Sequence, residues 1–64
     1  MRVGSHVETS PQWTRVPMTG ILAEIAAKGA TQIYPERTHW VALDPPVDGF
    51  TLMPFEPQQL QETK

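Results

Sequence analysis

Apolar residues along this chain fall in short runs broken by proline and glycine, and only one run carries helical spacing. Met18, Ile21, Leu22 and Ile25 recur at intervals of three and four, which places them on one face of a helix. Pro17 suits the first helical turn, and Gly29 stands where a left-handed cap belongs. Glu24 and Lys28 are four apart and would pair on the polar side. The pattern therefore predicts a helix over residues 17–28.

Beyond Gly29 the period changes to two. Residues 30–34 read as a strand ended by Pro35, with Glu36 and Arg37 as a polar turn. In residues 38–43, His39, Val41 and Leu43 alternate with Thr38, Trp40 and Ala42, which gives a second strand. Residues 44–49, Asp-Pro-Pro-Val-Asp-Gly, have turn chemistry, with Asp44 and Asp48 as turn formers. Residues 50–53 form a third strand that Pro54 halts. A connection of about six residues suits an antiparallel hairpin, because a parallel crossover needs a dozen or more.

The expected fold is a small α+β domain, one amphipathic helix packed on a three-stranded antiparallel sheet, with extended N- and C-terminal arms. Residues 17–54 would be the α-β-β-β core. Residues 1–16 would be an extended arm or edge strand, and residues 55–64 a polar tail. Ile21, Leu22 and Ile25 would pack against Ile33, Val41, Leu43 and Leu52, or their alternates, on one face of the sheet. Trp13, Trp40, Phe50 and Phe55 exceed what so small a core holds, so they are the candidate partner-binding residues.

Size sharpens that expectation. A chain of 64 residues buries a limited fraction of its surface, and natural domains this small add disulfides, a metal or a partner. With no cysteine, disulfides are out, and two histidines far apart make no zinc site, so neither metal nor cofactor is expected. A partner surface is the support that remains: a larger protein assembly or a homo-oligomer. The formal net charge is −2, and the five basic residues are scattered, which argues against a nucleic-acid footprint. No run reaches the apolar length of a membrane span, and the opening residues lack a secretory pattern. The expected setting is the cytoplasm, or the host cytoplasm or virion for a viral chain, with no membrane partner.

Catalytic motifs are sparse. The glycines are isolated and make no phosphate loop, and neither Ser5 nor Ser10 has a base beside it. Glu36 is close enough in sequence to His39 to orient it across a turn, although a structural histidine on a half-buried strand is the commoner case. One constellation reaches further: the run Ile21-Leu22-Ala23-Glu24-Ile25-Ala26-Ala27-Lys28-Gly29, then Thr38-His39-Trp40-Val41, a proline loop, and Gly49-Phe50-Thr51-Leu52-Met53-Pro54. Over residues 20–60 this order resembles the HicA family, small toxin ribonucleases with a double-stranded-RNA-binding-like fold. The resemblance implies a catalytic role for His39 in metal-independent RNA cleavage, and Arg37 is placed to help with phosphate charge.

No complete catalytic set accompanies His39, so the leading expectation is non-enzymatic. It is an accessory or inhibitor protein, of the kind viruses and mobile elements encode, that docks on a larger assembly. A HicA-like RNA-cleaving toxin or an inactive relative is the first alternative, with RNA as partner. A structural capsid or tail subunit is the second.

Overall fold

The computed structural model describes residues 1–63, and it is all β apart from one 3₁₀ turn. The elements are β1 (His6–Thr9), β2 (Thr19–Ile25), β3 (His39–Val47), β4 (Phe50–Phe55), the 3₁₀ turn Pro57–Gln59, and β5 (Leu60–Glu62). They form one antiparallel sheet in the order β4-β3-β2-β1-β5. The α+β expectation is thereby overturned. The predicted helix is strand β2 with the connection that follows it, and the first predicted strand, residues 30–34, is a run of bends.

Tertiary context decides against the helix. β2 is the middle strand, and β1 and β3 supply backbone partners on both sides of it. A helix would satisfy the same groups internally, but it would split the sheet, leaving β1 with β5 alone and β3 with β4 alone. The side chains follow the strand period. Leu22 is fully buried, with Met18 and Gly20 half-buried on its side, while Ile21 and Ile25 of the imagined stripe are 42% and 48% exposed. Helical propensity is a weak prior, and pairing on two edges overrides it. The expected Glu24–Lys28 pair is replaced by Lys28 Nζ to Glu36 Oε1 at 3.0 Å.

The terminal segments are not arms. β1 lies inside the sheet between β2 and β5, with Val7 opposite Gly20 on one side and Glu62 on the other. The supposed tail supplies β5 and two buried residues, Phe55 and Leu60. The core is therefore Val7, Leu22, Val41, Leu43, Phe55 and Leu60, with Met18, Val47 and Met53 packed against it. Of the expected helix-side and sheet-side packing residues, Leu22, Val41 and Leu43 are buried, whereas Ile33 is 80% exposed and Leu52 48%. The molecule measures 27 × 24 × 22 Å, so the sheet curls around its inner face and does not lie flat.

The antiparallel hairpin falls where the turn chemistry put it, but the turn is tighter. Val47 pairs with Phe50, and only Asp48 and Gly49 intervene, at φ of 51° and 82°. Two successive positive φ values are the geometry that an Asp-Gly hairpin turn supplies. Pro45 and Pro46 fit inside β3 because the register with β4 breaks between Ala42 and Val47. Pro54 fits because β4 is an edge strand, where a missing N–H is tolerated. Among the described residues no helix is long and apolar enough to cross a membrane.

One glycine is a packing requirement. A Cβ on Gly20 would fall inside contact distance of the Ala42 carbonyl oxygen, and that backbone has no slack in the middle of the sheet. Gly20→Ala is expected to destabilise the fold by about 1–3 kcal/mol, read as a lower urea midpoint at unchanged slope. An unchanged midpoint would mean that β2 and β3 do not approach so closely.

Candidate functional site

Residues 10–18, between β1 and β2, are anchored by a buried hydroxyl. Thr9 is 1% exposed, and its Oγ1 accepts from the Met18 backbone N–H at 2.8 Å and bonds the Thr14 hydroxyl at 2.6 Å. The Thr9 N–H donates to the Met18 carbonyl at 2.9 Å, which closes the base of the connection. At its start, the Trp13 N–H donates to the Ser10 carbonyl at 2.9 Å, and the Ser10 N–H donates to the Gln59 carbonyl at 2.8 Å. These bonds fix where Trp13 projects, and its side chain stays 52% exposed.

Residues 26–38, between β2 and β3, are held by different means. Ala26 N–H donates to the Thr38 carbonyl at 2.8 Å and Gly29 N–H to the Pro35 carbonyl at 2.9 Å. The Arg37 guanidinium carbon sits 3.8 Å from the centroid of the Tyr34 ring, a cation–π stack. Glu36, the carboxylate next to Arg37 in sequence, is engaged by Lys28 instead. Among the described residues no carboxylate pairs with Arg37, and its Nε is buried without an acceptor.

The two connections and the 3₁₀ turn enclose a cleft of about 170 Å³. Met18, Met53 and Phe55 supply its apolar wall, and Trp13, Arg37 and Gln59 its rim. Pockets for drug-sized ligands and cofactors run to roughly 300–1,000 Å³. This one is smaller, with room for one or two side chains. Among the described residues no group of three His, Cys, Asp or Glu side chains gathers where a metal could sit.

The four aromatics selected from sequence separate onto three surfaces. Trp13 stands at the cleft rim. Trp40 and Phe50 point to the outer sheet face, opposite in alternation to buried Val41 and Phe55, where Leu52, Ala42 and Ile21 accompany them. Phe55 is 6% exposed and belongs to the core, so it reaches the cleft only as wall. His39 is half-buried at the start of β3, with its Nδ1 2.9 Å from the Thr38 hydroxyl; Glu36 faces Lys28 and does not orient it. Thr9, Met53 and Gln59 carried no signal in the sequence, and Met18 carried only that of a helical stripe. They come from four separate segments, and only the sheet order brings them together.

No protein-family model, no curated protein and no solved structure matches this chain. Functional interpretation therefore rests on geometry and chemistry.

Burial, and secondarily the N-terminal ammonium, push the His39 imidazole below its ordinary value of 6.5. Folded His39 thus binds fewer protons than it does in the unfolded chain, and its contribution to stability falls as the pH drops through and below 6.5. Glu62, held low by a hydrogen bond from the same ammonium, acts in a separate window below its ordinary 4.5. The urea midpoint is expected to be lower at about pH 5 than at pH 7.5, and His39→Gln should narrow that difference. An equal difference in both proteins would show that His39 does not titrate this way.

Proposed function

We propose that this chain is a small non-enzymatic interaction domain that docks on a larger protein through the cleft between its two long connections. The observation that carries the reading is Trp13, a tryptophan left half in water on a loop that six backbone and hydroxyl hydrogen bonds hold in place. Large aromatic side chains on pre-ordered loops are the usual anchors of protein interfaces, because little conformational freedom remains to be lost on binding. The neighbouring methionines, Met18 and Met53, suit an adaptable apolar contact. A scaffold that is all sheet, with binding residues on its connections, is the common division of labour between rigidity and recognition.

The test is selection from a library of random twelve-residue peptides displayed on phage, followed by binding of the synthesised winners to Trp13→Ala. The expected result is at least a tenfold loss of affinity with an unchanged circular dichroism spectrum. Equal binding by wild type and variant would remove Trp13 from the interface and end this reading.

A second reading, a HicA-like RNA-cleaving toxin or an inactive relative, rests on His39. Its depressed pKa favours the neutral imidazole at pH 7, the form a general base requires. Against it stand the engagements of the two sequence neighbours that could assist: Glu36 is paired with Lys28, and the Arg37 guanidinium lies over Tyr34. Incubation with a mixed single-stranded RNA is expected to give no cleavage above that of a folded His39→Ala control. Cleavage that vanishes in the control would replace the docking reading with this one.

A further inference from the structure

We propose that the cleft recognises a partner segment that presents a carboxylate beside an apolar side chain, with Arg37 anchoring the carboxylate. This rests on the docking reading above and names the chemistry of its partner.

Charge complementarity points there. Arg37 is the only charged residue lining the cleft among the described residues. The carboxylate that could have neutralised it from the next position, Glu36, is drawn away by Lys28 at 3.0 Å. Stacking on Tyr34 at 3.8 Å fixes the plane of the guanidinium, which presents it as a pre-oriented fork. Among the described residues its buried Nε has no acceptor, so the guanidinium is not fully satisfied within the fold. A carboxylate meets guanidinium geometry with two parallel hydrogen bonds.

The remaining rim chemistry agrees. The Gln59 side-chain oxygen accepts from the Glu56 backbone N–H at 2.8 Å, which leaves its amide nitrogen to donate. Trp13 and the two methionines then take the adjoining apolar side chain. Arg15, exposed two residues after Trp13, adds a second positive charge to the same connection. Phosphate of a single-stranded nucleic acid, with a base on Trp13, is the competing occupant for such a pairing. The chain's net charge of −2 and its scattered basic residues disfavour a polyanion and suit one local carboxylate.

The experiment uses the whole chain and the displayed twelve-residue library. Selected peptides are expected to be enriched in Asp or Glu next to Leu, Ile, Phe or Met. Replacing that acid by its amide in the synthesised peptide should weaken binding at least tenfold. Arg37→Gln should weaken the acidic peptide by a similar factor and leave the amide version unchanged, since the two changes remove one interaction. Arg37→Lys, which keeps the charge but loses the fork, should recover only part of the affinity. Peptides that depend on Trp13 but show no acidic preference and no Arg37 effect would overturn this proposal and leave the docking reading standing. Failure to select any Trp13-dependent peptide would overturn both. Tighter Arg37-dependent binding of a ten-nucleotide single-stranded RNA than of any selected peptide would assign the cleft to nucleic acid.

Discussion

The hydroxyl of Thr9 is the point on which the arrangement turns. It sits at the end of β1, where that strand leaves its pairing with β2 and β5, and it is almost wholly removed from water. A buried hydroxyl without partners would cost a few kcal/mol, but this one has two, Met18 N–H and Thr14 Oγ1. Both lie on the connection that carries Trp13. Burial of one polar group in the core is thus converted into order in a surface loop. A valine at this position would pack about as well and would still leave the Met18 N–H without its acceptor, the asymmetry that makes such bonds hard to replace.

The rest of the sheet meets a constraint of edges. A five-stranded open sheet has two, and this chain treats them differently. β5 is three residues long, too short to offer much of a ladder to a neighbour. β4 is six residues long and carries Pro54, which removes one donor from the edge. Prolines that read in sequence as the ends of segments thus serve within strands, at the edge in β4 and at a break in register in β3. That is why proline counting placed the third strand's end two residues early.

Much of the second half was legible, because its signals were local. Alternation through His39, Trp40, Val41, Ala42 and Leu43 and the Asp48-Gly49 turn specify a hairpin without help from the rest of the chain. The first half was not, because its structure depends on partners far away in sequence. Met18, Ile21, Leu22 and Ile25 satisfy a helical period, yet only Leu22 of the four is buried, and what selects the strand is β1 on one flank and β3 on the other. β1 itself, four residues with Val7 and Thr9 inward, is too short to announce which side of which strand it joins. The cleft was illegible for the same reason. Trp13 was visible as a surplus aromatic, but Met53 and Gln59 become its neighbours only through the strand order.

The site's composition also sets how strongly it can act. Under the proposed docking reading, the cleft would offer one aromatic contact, two methionines and one charge-assisted fork. Such a set, after the loss of rotational and translational freedom on association, supports modest affinity, since specific interfaces of high affinity bury many more residues per side. Modest affinity is serviceable when the segment recognised is repeated on an assembly, where each further engagement is effectively intramolecular. Under the proposed docking reading, a cleft of this size on a sheet scaffold suits a recurring feature of a large partner. The outer face of β3 and β4, where Trp40 sits opposite Pro54 and Leu52 opposite Ala42, contributes none of the residues that line that cleft.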